Sequence, residues 1–216
     1  MIKTIIFDMD GTILNTLDDL YFSVNYALKK LRLKEKTKDE VRLAVGRGAL
    51  NLIKAVVPNN SSDQEIDLVY RTYQDYYDKH SKDHTKPYPY ILDVLKQLKK
   101  DGYQLGVVSN KHEYLVEALN QDVFEGIFDI SIGQTKDIPI KPAPDMLYKG
   151  IKLLNSSIED SIFIGDSDTD MLTAKNANIK SIGVTWGFRT KKVLEDIGAT
   201  YIIDHPLDII EIIKGE

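Results

Sequence analysis

Six short runs rich in β-branched apolar residues recur along the chain, and helical patterns lie between most of them. The runs are Thr4-Ile5-Ile6-Phe7, Leu105-Gly106-Val107-Val108, Ile130-Ser131-Ile132, Ser161-Ile162-Phe163-Ile164, Ser181-Ile182-Gly183-Val184 and Tyr201-Ile202-Ile203. Their apolar character does not alternate, which suits strands covered on both faces. Helical periodicity spans Ile91 to Lys100, Glu113 to Gln121, Asp145 to Leu154, Asp168 to Asn176 and Lys191 to Ile197. Strand and helix alternating at this spacing predict an α/β fold with a doubly wound parallel sheet.

The alternation breaks between about Leu14 and Lys86. No buried-strand run is found there. Leu17, Leu20, Val24, Ala27, Leu28 and Leu31 share one helical face, and a second helix is predicted over about Glu65 to His80. Residues 14–86 therefore read as a mostly helical insert in an α/β core of residues 1–13 and 87–216. The turn after Asp10-Gly11 and the Pro87-Tyr88-Pro89 segment bound it. The Lys-rich stretch from Lys29 to Lys38 reads as a solvated helix end and loop. A chain of 216 residues has room for one good-sized domain with a small insert.

Charge and composition narrow the function. The net charge is −5, which argues against nucleic acid or an anionic membrane as partner. There are no cysteines, so disulfides, thiolate chemistry and Cys-ligated zinc are excluded. No apolar run approaches the ~20 residues that span a bilayer, and the first apolar stretch is too short for a signal peptide. A soluble, cytoplasmic protein is expected, with monomer and homodimer both open.

Four polar segments each stand at or just after a strand, where an open α/β sheet gathers its ligands. The first is Asp8-Met9-Asp10-Gly11-Thr12. Its two carboxylates approach one volume and repel unless a cation or a shared proton intervenes. Gly11 lets the chain turn and bring amides to a ligand. A strand-end turn with Asp as a cap is the plainer alternative. The second is Ser109-Asn110-Lys111, where Ser109 and Asn110 either cap the next helix or bind an anion. The third is Lys141, set in a stiff loop by Pro142 and Pro144; alone it reads as a surface lysine. The fourth is Gly165-Asp166-Ser167-Asp168-Thr169-Asp170. Oxygen ligands without His or Cys suit Mg²⁺, although Asp168 could simply cap a helix. An EF-hand fails for want of Gly and Glu at the required positions.

Taken in order, the four segments resemble the motifs of the haloacid dehalogenase superfamily of phosphotransferases. The insert resembles that superfamily's helical cap on a Rossmann-like core. The phosphoglycolate phosphatase-like branch is most similar, through Val45-Gly46-Arg47-Gly48, Ser109-Asn110-Lys111, Lys141-Pro142-Ala143-Pro144-Asp145 and Thr185-Trp186-Gly187-Phe188. One departure is Tyr90, where Pro-Tyr-Pro is often followed by Gly.

The resemblance implies a Mg²⁺-dependent phosphatase acting on a small phosphorylated metabolite. Asp8 is implied as nucleophile and Asp10 as general acid and base. Asp8 and Asp166 carboxylates and the Asp10 carbonyl are implied metal ligands, supported by Asp170. Gly11 amides, Ser109 and Lys141 are implied to stabilise the transferring phosphoryl group. Asn110, Lys111 and His112 are candidates to contact the leaving group, and Arg47 to pair with a substrate carboxylate. Superfamily dehalogenases lack an acid at the Asp10 position, so phosphoester hydrolysis is favoured.

Alternatives on the same scaffold are a pyrophosphatase, a nucleotidase, a sugar phosphatase or a phosphoglucomutase. A binding protein without turnover ranks below them, since Asp8, Asp10 and Lys141 are all present. Tyr70, Tyr73, Tyr76 and Tyr77 fall at helical spacing and are expected to pack, with an aromatic substrate wall as the other reading. Trp186 is balanced between packing and the edge of the site. His80 and His84 sit in a polar segment ill suited to metal ligation.

Overall fold

A computed structural model describes all of residues 1–216. The chain opens with β1 (Thr4–Phe7) and β2 (Leu14–Asn15). Four helices follow: α1 (Leu17–Lys30), α2 (Lys38–Ala44), α3 (Ala49–Val56) and α4 (Asp63–His80). Next come β3 (Lys86–Pro87), α5 (Ile91–Lys100), β4 (Gln104–His112), α6 (Glu113–Phe124), β5 (Ile130–Gln134) and α7 (Asp145–Leu153). The chain finishes with β6 (Ser161–Gly165), α8 (Asp168–Ala177), β7 (Lys180–Val184), α9 (Lys191–Ile197), β8 (Tyr201–Ile203) and α10 (Asp208–Gly215).

Six strands form one sheet in the order β5-β4-β1-β6-β7-β8, and every pairing in it is parallel. This is the expected Rossmann-like, doubly wound α/β core. The order turns around β1, whose carboxyl end is therefore a switch point where a crevice opens. The unbroken apolar runs have a simple cause. Ile5 and Phe7 of β1 enter a core layer with Val94, Leu98, Val107 and Ile164. Ile6, between them, enters the opposite layer with Val108, Met146, Phe163 and Ala174. Alternate side chains feed two cores, so neither set can be polar.

Helices α1 to α4 pack around a third cluster built on Leu20, Val24, Leu28, Val41, Ile53 and Val69. Leu115 of α6 and Phe188 after β7 belong to the same cluster, so the helical segment rests on the sheet domain through apolar contact. The helices α2 and α3 were not anticipated, being only 7 and 8 residues long. Two of the helices carry local start signals: Thr37 with Glu40 and Ser62 with Glu65 form capping boxes that open α2 and α4. A two-stranded antiparallel pair, Leu14 with Pro87 and Asn15 with Lys86, brings the two ends of the segment side by side. Just beyond it the buried Asp19 carboxylate accepts hydrogen bonds from the His84 amide and from the Thr85 amide and hydroxyl at 2.7–3.1 Å. That fixes the first helix against the returning chain.

Tyr90 explains its own oddity. It stands at the N-cap of α5 with φ +66°, in the left-handed region that favours glycine. The side chain is half exposed and lies against the His205 ring at 5.0 Å.

Candidate active site

Asp8 follows β1 directly, and its amide continues the ladder by donating to the Ile164 carbonyl at 2.8 Å. The Met9 side chain turns into the core, so Asp8 and Asp10 flank it at the crevice. The chain then reverses: Gly11 adopts φ +89°, and the Met9 carbonyl accepts from the amides of Thr12, Ile13 and Leu14. Asp166 and Asp170 come from the end of β6 and the first turn of α8. The Asp8, Asp166 and Asp170 carboxylates each offer an oxygen within 4.8 Å of the other two, and all three residues are buried.

Lys141 is buried with them. Its Nζ donates to Asp8 Oδ1 and to Asp170 Oδ1, both at 2.6 Å. The surface-lysine alternative therefore does not hold. Burial and then the Asp170 carboxylate push Asp8 up to about 7. Burial, with Asp170 and Asp8 adding to it, holds Asp166 well above the usual carboxylate range. Burial works against the Lys141 ammonium, but Asp170 and Asp8 outweigh it and hold its pKa above the ordinary value.

Close approaches surround Asp166. Asp166 accepts from the Thr12 hydroxyl at 3.1 Å and from the Phe188 amide at 2.6 Å. A Cβ at Gly11 or at Gly187 would lie 2.4 Å from Asp166 Oδ2. Both glycines are there because a carboxylate occupies the space a side chain would need. Gly187→Ala is expected to displace Asp166 and to cost most of the activity with about 1–3 kcal/mol of stability, by overpacking a filled site. Phosphate release and urea unfolding check it; wild-type values in both would show that the cradle is slack.

Ser109 and Asn110 do not cap α6, because β4 runs on to His112, which takes the cap position without a side-chain bond. Ser109 is buried at the site, and its Oγ accepts from the Lys111 amide at 3.3 Å. The Asn110 side chain is committed to the protein: it accepts from the Lys141 amide and donates to the Lys141 and Gly46 carbonyls at 2.8–3.0 Å. It thus holds the backbone that carries the site lysine. Asp168 does not cap α8; Ser167 does, in a capping box with Asp170.

A cleft of about 700 Å³, counting its open mouth, lies over these groups. Asp8, Asp10, Ser109, Lys111 and Asp166 line its floor, and Val45, Leu52, Tyr73 and Tyr77 its helical wall. Lys111 is the only Lys or Arg in the lining. Arg47 is not part of it: 63% exposed, it donates to Asp168 at 3.0 Å. Beside it Arg189, which the sequence did not single out, donates to Asp168 at 2.9 Å and to the Arg42 and Val45 carbonyls at 3.1 and 2.8 Å. Nothing in the local pattern around Arg189 marks it; two of its three partners, Arg42 and Val45, are more than 140 residues away, in α2 and just after it.

The tyrosines divide. Tyr73 and Tyr77 are buried and line the cleft, Tyr70 meets His112 at 2.9 Å, and Tyr76 stacks on Tyr26 and His80 away from it. Packing and cleft wall are here the same surface. Trp186 donates to the Thr12 carbonyl at 3.0 Å and packs against the main core. His80 pairs with Asp83, and the His84 ring lies tilted against Phe22 at 5.3 Å, so the two histidines share no ligand.

Comparison with known proteins places this geometry. A phosphoglycolate phosphatase of Aquifex aeolicus is 28% identical, with 99% of this chain and 97% of that protein covered. Pyrophosphatase PpaX of Bacillus mycoides is 25% identical, with 99% and 97% covered. The crystal structure of a Lactobacillus delbrueckii subsp. bulgaricus protein, provisionally named phosphoglycolate phosphatase, superimposes with a TM-score of 0.94. It is 34% identical, and 99% of each chain is covered. Residues 5–184 match the family model for haloacid dehalogenase-like hydrolases. With its carboxylate and lysine cluster at the switch point of such a sheet, the chain belongs to the haloacid dehalogenase-like hydrolase family.

Proposed function

We propose that the protein is a Mg²⁺-dependent phosphatase that hydrolyses a small phosphorylated metabolite through an aspartyl-phosphate on Asp8. The observation that carries this reading is the Asp8-Lys141-Asp170 contact at 2.6 Å on each side, with Asp166 in the same cluster, beneath a small-molecule cleft that Asp8 and Asp166 line. Three buried carboxylates, two of them held by one ammonium, leave an excess of negative charge, which a hard cation with oxygen ligands matches. Asp8, Asp166 and Asp170, with the Asp10 carbonyl, would hold Mg²⁺. When bound, it would neutralise the phosphoryl oxygens and the crowded carboxylates.

In this reading Asp8 attacks phosphorus in line and the bond to the leaving oxygen breaks. Asp10 gives that oxygen its proton. The ionised Asp10 then takes a proton from water, which attacks the aspartyl-phosphate and frees phosphate and the Asp8 carboxylate. Lys141, Ser109 and the amides near Gly11 stabilise the equatorial oxygens. Residues 14–86 act as a cap over the core of 1–13 and 87–216, and its closure keeps bulk water from the intermediate.

The relatives' names suggest phosphoglycolate or pyrophosphate as substrate. The cleft supports Lys111, and not Arg47, as the group that would meet an anionic leaving group. Phosphate release from a panel including phosphoglycolate, pyrophosphate, a nucleotide and a sugar phosphate, with Mg²⁺ and with EDTA, tests the proposal. One preferred substrate, silent in EDTA and restored by Mg²⁺, is expected. Undiminished release in EDTA would refute the metal assignment, and no release from any substrate would refute the phosphatase.

A further inference from the structure

Lys111 and Tyr77 make a contact that the proposed chemistry has not used. The Lys111 ammonium is buried in the sheet domain, at the end of β4. It lies 3.0 Å from Asp10 Oδ2 and donates to Tyr77 Oη at 2.7 Å. It also sits 4.9 Å from the centroid of the Tyr77 ring. A buried ammonium needs both charge and hydrogen-bond partners. Asp10 supplies the charge; Tyr77 supplies an oxygen lone pair and a ring face.

The two partners come from different parts of the molecule. Asp10 and Lys111 belong to the sheet domain, while Tyr77 belongs to α4 of the helical segment. The Tyr77 ring is itself fixed, stacked on Tyr73 at 5.4 Å with an interplanar angle of 11°. A lysine stem has four carbons and many rotamers. With Asp10 alone, the ammonium can keep its ion pair from several directions. The Tyr77 hydroxyl selects one. Asp10 Oδ1, the other carboxylate oxygen, is buried and has no protein partner. Asp10 lines the cleft, so holding Oδ2 from one side fixes how its carboxylate is presented there.

We infer that Tyr77 is a positioning residue that acts through Lys111 to aim the Asp10 carboxylate at the leaving oxygen. The inference rests on the phosphatase reading and assigns Asp10 no role beyond it. It explains why a tyrosine, and not a purely apolar residue, stands at this buried point of the helical wall. It also means that the helical segment reaches the proton donor through Lys111, by one hydrogen bond and one ion pair.

The test compares leaving groups. An alkyl phosphate needs its leaving oxygen protonated, whereas p-nitrophenyl phosphate releases a stable anion. The kcat/KM for each, which ends at leaving-group departure, is measured for wild type, Tyr77→Phe, Lys111→Met and the double variant. Tyr77→Phe keeps the ring and removes only the hydroxyl. The ratio of alkyl to nitrophenyl kcat/KM is expected to fall about tenfold in Tyr77→Phe, the effect of one hydrogen bond to a charged group on a general acid. It should fall at least as far in Lys111→Met and no further in the double variant.

An equal fall on both substrates, or additive falls in the double variant, would overturn the inference. Should Tyr77→Phe not fold, an unchanged ratio in Lys111→Met overturns it on its own. Failure of the wild type to release phosphate from both compounds would overturn the phosphatase reading together with this one. Release with ratios unmoved by the variants overturns this one alone.

Discussion

Asp8→Asn is expected to abolish turnover, by about four orders of magnitude or more, without loss of the fold. An amide cannot make the bond to phosphorus, and loss of a nucleophile removes nearly all of the chemical step. The fold should survive because the Asp8 carboxylate is a liability at rest. Burial and the neighbouring Asp170 already push it up to about 7. An asparagine keeps the shape, removes one of three crowded charges, and leaves Lys141 its contact with Asp170 at 2.6 Å. The thermal midpoint in EDTA should therefore equal or exceed that of the wild type. Phosphate release and thermal unfolding decide it, and release at the wild-type rate would end the nucleophile assignment.

Lys141→Met should damage both activity and stability. The side chain is buried, and its ammonium is the one cation in contact with Asp8 and Asp170. Removing one member of a buried ionic network costs about 3–5 kcal/mol, because the remaining charges stay uncompensated. Turnover should fall by about two to three orders of magnitude, the usual cost of losing a donor aimed at developing charge. The two losses can be separated. Since Mg²⁺ would take over part of the neutralisation, the drop in unfolding free energy should be larger in EDTA than in Mg²⁺. A drop of the same size in both, measured by urea unfolding, would mean that Lys141 and the cation do not share one cluster of charge.

The sheet was legible because each strand is covered on both faces and must be apolar throughout, as with Ile5, Ile6 and Phe7 in β1. The helical segment was harder. Its long helices show a clear apolar stripe, but α2 and α3 are two turns each and bury few residues, so periodicity had little to act on. The start of α2 was still written locally, in the Thr37 and Glu40 capping box, while α3 opens at Gly48 with no side-chain cap. Four site segments stood out because each follows a strand and carries acids or a lysine that the core cannot absorb.

What sequence could not give was the pairing. Asn110 was read as a cap or a substrate contact, yet its amide holds the Lys141 and Gly46 backbones. Arg47 is a candidate for a substrate carboxylate by its motif, and the structure pairs it with Asp168. Arg189 was not read at all. Each of these outcomes depends on a partner at least 31 residues away, which no local spacing encodes.

The most direct test of the central claim is rapid acid quench of a single turnover, with borohydride reduction and peptide mapping to find the phosphorylated residue. A phosphoryl group on Asp8 is expected, forming and decaying fast enough to lie on the reaction path and absent in Asp8→Asn. A single turnover that completes with no phosphorylated protein at any time, or with the group on another residue, would contradict it.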